Sequence, residues 1–153
     1  MYDNILVPTD GSDTAEAAMD RGVDLAAKYD ATVHAPYVID VDAVNDSLGT
    51  EQVDRIRQGK LDDMPEVRDT ADAATSYVAG AAATMSVDAE EHVRAGQPAR
   101  VIRNAIEDLG IDLVVMGSHG RSGIPRALLG SVTEQVLRKT KVPVLVVDAR
   151  GEE

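Results

Sequence analysis

Short aliphatic runs recur along this chain, and most of the intervals between them carry apolar residues at helical spacing. The runs are Ile5-Leu6-Val7, Thr32 to Ile39, Val87 to Val93, Leu113 to Met116 and Val142 to Val147. Strands that alternate with helices call for a parallel sheet, because a parallel neighbour needs a crossover that returns the chain to the same end. Such crossovers are right-handed. At 153 residues the chain is of ordinary size for one domain, and no repeat, low-complexity tract or linker divides 1–153.

The helices can be read from caps and stripes. Asp13-x-x-Glu16 reads as the capped start of a helix with Ala15, Ala18, Met19, Gly22, Leu25, Ala26 and Tyr29 on its apolar side. Residues 40–62 break the rhythm and read as a long connection with a helical piece around Gln52 to Gln58. Pro65 suits the first position of a helix, and Val67, Ala71, Ala74, Val78, Ala81 and Met85 then form one stripe. Val87 to Val93 alternates apolar and polar, as an edge strand would. Gly96-Gln97-Pro98 turns the chain into a helix marked by Val101, Ile102, Ala105, Ile106 and Leu109. Pro36, inside the second strand, is an irregularity with no assigned role.

Composition removes whole classes of function. Cysteine is absent, which excludes disulfides, thiolate metal ligands and thiol catalysis. No apolar run approaches the ~20 residues a membrane span needs. Tyr2-Asp3-Asn4 opens the chain without a basic leader, so it reads as neither secreted nor imported. Acidic residues outnumber basic ones 27 to 15, a net charge of −12 that repels nucleic-acid phosphates, so general DNA or RNA binding is not expected. The same field repels nucleotides at long range, so a nucleotide site needs local help from amides and placed cations. Four of the basic residues are Lys, and Asp is twice as frequent as Glu. That balance carries the expectation of a surface adapted to high intracellular salt, where screening relieves self-repulsion.

Two strand ends stand out. The first is Pro8-Thr9-Asp10-Gly11-Ser12. The second is Gly117-Ser118-His119-Gly120, followed after nine residues by Gly130-Ser131, which opens the last helix, Ser131 to Lys139. Glycines let backbone approach a ligand closely, and a helix start carries unpaired N–H groups and the positive dipole end. Ser131-x-x-Glu134 reads as a capping box. In doubly wound sheets ligands sit beyond the carboxyl ends of the strands where the order reverses. An order 3-2-1-4-5 puts strands one and four together there. Neither G-x-x-x-x-G-K-[ST] nor G-x-G-x-x-G is present, and Gly120-Arg121-Ser122-Gly123 misses the nucleophile elbow. Asp10 is placed to accept ribose hydroxyls or help hold a divalent cation, or else to bond its own turn. His119, Arg121 and Arg126 bring donors and charge to the loop. No residue is an evident general base for water, so no catalytic residue is assigned. His34, His92 and His119 lie in separate segments without metal-ligand spacing, and no structural zinc site is expected.

These motifs resemble those of the universal stress protein family over essentially the whole chain. The resemblance rests on Ile5-Leu6-Val7-Pro8-Thr9-Asp10-Gly11-Ser12, on Met116 to Gly123, on Leu129 to Thr133 and on Val142 to Val147. The spacing Gly117-x2-Gly120-x9-Gly130-Ser131 matches the family's ATP-binding subclass. The resemblance implies a Rossmann-like five-stranded parallel sheet, order 3-2-1-4-5, with helices on both faces. It implies that Pro8, Thr9 and Asp10 line the adenosine side, with Val38 meeting the adenine through its backbone. Met116 and Gly117 would flank the nucleotide. Asp10 would sit on the ribose, and His119, Gly120, Gly130, Ser131, Val132 and Thr133 would surround the phosphates, bridged by Mg²⁺ or Mn²⁺; read from the residues themselves, Arg121 adds a loop cation to that site and Asp10 is the candidate metal carboxylate. It implies a cytoplasmic, stress-linked regulator. Slow ATP hydrolysis and a module with purely structural ATP remain the alternatives. A homodimer is expected through Val142 to Val147, an edge strand whose Val144 to Val147 carry no charge to deter pairing.

Overall fold

The structure, a computed structural model, describes residues 2–40, 65–118 and 130–148. In chain order the elements are β1 (Asn4–Leu6), α1 (Asp13–Tyr29), β2 (Thr32–Asp40), α2 (Pro65–Thr84), β3 (Asp88–Gly96), α3 (Pro98–Asp108), β4 (Leu113–Gly117), α4 (Ser131–Lys139) and β5 (Val144–Val147). The strands form one sheet in the order β3-β2-β1-β4-β5, with every neighbouring pair parallel. This is the expected doubly wound order, and it puts β1 and β4 side by side at the reversal.

Alternation along the central strands sends successive side chains to opposite faces. Ile5 and Val7 of the β1 segment, Val33 and Ala35 of β2 and Val115 of β4 pack with Ala18, Met19, Val23 and Ala26 of α1 and Val78 of α2. Leu6, Val114 and Met116 face the other way, onto Ala99, Ile102, Ala105 and Ile106 of α3 and Val136 of α4. An aliphatic core without Phe or Trp is enough because the Ala-rich α1 and α2 on one face, and Ala99 and Ala105 of α3 on the other, let helices sit closely on a Val/Ile sheet. Gly22 of α1 shows how closely: a Cβ built there would stand 2.6 Å from Val7 Cγ2.

Several sequence expectations are corrected. The first helix is capped by Ser12, whose Oγ accepts from the Ala15 N–H at 3.2 Å, so Asp13 and Glu16 supply first-turn charge instead of the cap. Met85 is not on the buried stripe of α2. It is 43% exposed, while Ala71, Ala74, Val78 and Ala82 are buried. The side chain of Val67, the expected connection at 41–62 and its helical piece at Gln52 to Gln58 lie outside the described residues. β5 begins at Val144, just after Pro143, and β3 extends to Gly96 at the sheet edge.

Pro36 lies in the middle of β2, where it has a definite effect. Val7 N–H donates to the His34 carbonyl at 2.8 Å and Thr9 N–H to the Pro36 carbonyl at 3.0 Å. In this register the donor for the Val7 carbonyl would be residue 36, and proline has none. The β1 ladder therefore ends at Leu6, and Thr9 rejoins β2 as an isolated bridge to Tyr37.

Candidate functional site

Each wall of the crevice is held by backbone bonds that fix its turn. On the β1 side, Pro8 and Thr9 are buried and the chain reverses through Gly11 at φ 82°, a conformation glycine adopts without strain. Thr9 Oγ1 accepts from the Gly11 N–H at 3.1 Å, and Asp10 Oδ1 accepts from the Ser12 N–H at 2.9 Å. Asp10 thus bonds its own turn through one oxygen, which fixes the carboxylate's direction. Val38, partly buried, sits beside this turn, its N–H donating to the Thr9 carbonyl at 3.0 Å.

On the β4 side, the strand ends on buried Met116, then Gly117 and buried Ser118. The Ser118 N–H donates to the Val147 carbonyl of β5 at 2.8 Å, and the Ser118 carbonyl accepts from the Gly130 N–H at 2.7 Å. Ser118 and Gly130 are therefore held side by side. Thr133 reinforces the tie: its hydroxyl, on a side chain only 2% exposed, donates to the Gly117 carbonyl at 2.8 Å. What Thr133 can offer a ligand is consequently its backbone, with its hydroxyl engaged in the frame.

The start of α4 differs from the expected capping box. The N-cap is Gly130, at φ −64° and ψ 151°, which has no side chain to cap the helix. Ser131 is the first helical residue, and Glu134 pairs with Arg138 one turn on, at 2.8 Å, in place of reaching back. The N–H groups of the first turn have no intrahelical acceptor by geometry. Helix dipole and amides together make this a ready anion-binding end. The paired residues Ile5↔Leu113 and Leu6↔Val114 set the offset between β1 and β4. Beyond that pair β1 has ended, and Pro8 and Thr9 leave the sheet at the same end as Met116 and Gly117 of its neighbour β4.

The sheet order puts Pro8, Thr9, Asp10 and Val38 at the same end of the sheet as Met116 and Gly117, and bonds from Gly130 to Ser118 and from Thr133 to Gly117 tie the start of α4, Gly130 to Thr133, to the β4 end. His119, Gly120, Arg121 and Arg126 lie outside the described residues. Sequence reading missed one constellation altogether. His34, Glu90 and His92, on neighbouring strands, hold three potential ligand atoms within 4.8 Å of one another. The expectation that the histidines lack a metal-capable arrangement is therefore corrected. Spacing along the chain cannot show it, because the grouping is made by the β2–β3 register, His34↔Glu90 and Pro36↔His92.

The sheet order and its strand-end crevice place the molecule among Rossmann-like α/β proteins. A model of the universal stress protein family matches residues 1–148, and the chain belongs to that family. The universal stress protein MJ0531 of Methanocaldococcus jannaschii is 34% identical over 148 residues, covering 96% of this chain and 82% of the relative. The solved structure of the universal stress protein UspA from Lactobacillus plantarum superposes with a TM-score of 0.76 at 31% identity, covering 95% of this chain and 97% of the other. A universal stress protein solved in complex with cAMP gives a TM-score of 0.66 at 27% identity, covering 96% and 97% of the two chains. Among the described residues, no helix is long and apolar enough to cross a membrane.

Proposed function

We propose that this chain binds ATP, with Mg²⁺ or Mn²⁺, in the crevice between the β1 and β4 ends, and works as a nucleotide-dependent regulator in the cytoplasmic stress response. The observation that carries this reading is the start of α4, capped by a glycine and tied through Ser118 to the end of β4, the strand next to β1. A serine or aspartate cap would occupy those N–H groups; a glycine leaves them to an anion. The nucleotide seen in a family member at 27% identity supports the ligand class. Asp10, aimed by its bond to Ser12, takes the ribose or the metal. Val38 meets the base through its backbone. His119, Gly120, Arg121, Gly130, Ser131, Val132 and Thr133 surround the phosphates, and the cations among them offset the protein's net charge of −12.

The same reading includes a homodimer through β5. Leu145 is 38% exposed on this edge strand, and a groove lined by Asp20, Tyr77, Leu145 and Val147 runs alongside it. An aliphatic edge of this kind calls for a partner strand or a cover.

The test of the site is calorimetry of ATP with Mg²⁺ on the parent and on Gly130→Val. The N-cap dihedrals suit a valine, so the substitution adds a side chain at the helix start without forcing the backbone. ATP affinity falls at least tenfold, about 1.4 kcal/mol. Unchanged affinity in a folded variant refutes the assignment. Single-turnover ATP consumption by the parent decides whether bound ATP is hydrolysed.

A further inference from the structure

We propose that His34, Glu90 and His92 form a second site, for a divalent transition-metal ion such as Zn²⁺, on the α3 face of the sheet near the amino ends of β2 and β3. Parallel pairing sets His34 opposite Glu90, while His92, two residues on, shares the face of Glu90. His34 Nδ1 already stands 3.8 Å from Glu90 Oε2, and the two imidazoles lie parallel, 7° apart in plane, with centroids 6.3 Å apart. In a tetrahedral zinc site with bonds near 2.0–2.1 Å, ligand atoms stand about 3.4 Å apart. Side-chain rotation of roughly an ångström therefore closes the cluster on an ion.

The polar inventory points the same way. His34 is 5% exposed, and its Nδ1 has no hydrogen-bond partner; His92 Nε2 is likewise buried and unpaired. Buried ring nitrogens without partners are costly, and a cation is a group that satisfies both at once. The tautomer is prepared as well. His34 Nε2 lies 3.0 Å from the Asn4 side-chain carbonyl, which places the hydrogen on Nε2 and leaves the Nδ1 lone pair facing Glu90. Burial, against the pull of Glu90 and helped by His92, holds the imidazole below its ordinary pKa, in the neutral form that binds metal. Glu90 stands at the exposed rim, with 60% of its side chain in solvent, so the fourth position opens to water. Two imidazoles and a carboxylate suit Zn²⁺, Cu²⁺ or Ni²⁺ better than Mg²⁺. Along the strands the site stops short of Val38: His92 is level with Pro36, two residues or about 7 Å away, and His34 is four residues or about 13 Å away.

The experiment is Zn²⁺ titration by calorimetry on chelator-stripped, nucleotide-free protein, with imidazole ¹⁵N shifts recorded in parallel. One ion binds per chain, and the shifts mark His34 Nδ1 and His92 Nε2 as the ligated nitrogens. His92→Gln and Glu90→Gln each weaken Zn²⁺ more than tenfold and leave ATP affinity unchanged. Asp10→Asn leaves Zn²⁺ affinity unchanged. Should His92→Gln fail to fold, Glu90→Gln at the exposed rim carries the test. Zn²⁺ affinity equal to the parent's in the folded variants, or ligation reported at His119 instead, overturns the proposal.

Discussion

Gly22→Ala tests how tightly α1 is seated on the sheet. Two effects of known sign compete. Replacing glycine by alanine in a helix interior favours the helix by about 1 kcal/mol, because less backbone entropy is lost on folding. Against this, the new Cβ would stand 2.6 Å from Val7 Cγ2, where ordinary carbon contacts are near 3.5–4.0 Å. Val7 is fully buried and, as a β-branched residue, has few rotamers to yield with. Overpacking of this kind costs about 1–3 kcal/mol. The clash wins, and the net loss is about 1 kcal/mol, or about 2–4 °C in melting temperature for a chain of this length. Urea denaturation of the parent, Gly22→Ala, Val7→Ala and the double variant forms the cycle. Because Val7→Ala removes the clashing methyls, the double variant is more stable than the sum of the single losses by about 1 kcal/mol or more. Stabilisation by Gly22→Ala, with additive behaviour in the double variant, would refute the reasoning. Since Val7 leads directly into Pro8 and Thr9, Gly22→Ala also weakens the proposed ATP binding.

Tyr77 donates to Asp20 Oδ1 at 2.8 Å, and its phenol is pushed up to about 12 by burial, by that bond and by the charges of Asp20 and Glu16. The raised value favours the neutral form in the folded state, so the stability it lends is complete below pH ~10 and is lost between ~10 and ~12; ultraviolet titration shows this tyrosine ionising last, and Asp20→Asn brings it down. By light scattering the parent is the proposed dimer and Val146→Lys, which puts a charge in the β5 edge, a monomer; a dimer that persists in the variant places the interface elsewhere. Molar KCl raises the melting temperature by screening the net charge of −12, and a flat response removes the salt-adaptation reading.

The fold is legible in the sequence because its determinants are periodic. Leu113 to Met116 reads as a buried strand, and Ser131 to Lys139 as the last helix, at their observed bounds to within a residue. Caps read from sequence alone fall one position late at both α1 and α4. Ser12 and Asp13, or Gly130 and Ser131, compete for the same role, and the outcome depends on where the preceding turn delivers the chain. The glycine spacing points to the site proposed above, yet it does not show that Thr133 spends its hydroxyl on Gly117, a contact made only once α4 is docked. Pro36 and the His34–Glu90–His92 group are illegible for one reason: both take their meaning from cross-strand register, which lies between segments and in neither alone.

β1 is flanked by β2 and by β4, and the second neighbour arrives late. Asp112, at the threshold of β4, receives the Asp3 N–H across 109 residues of chain, and the Asn4 N–H as well. During synthesis the first strand therefore emerges with one apolar edge open, and it stays open until the last third of the chain has been made. Contacts of such long sequence separation slow folding, because loop closure must precede the pairing that rewards it. The proposed crevice, built across this same seam, comes into being only with the finished sheet. A ligand held there would add its binding free energy to the cooperative unfolding of the whole domain, as RT ln(1 + [L]/Kd), and amide exchange in β1 and β4 would slow together as nucleotide is added.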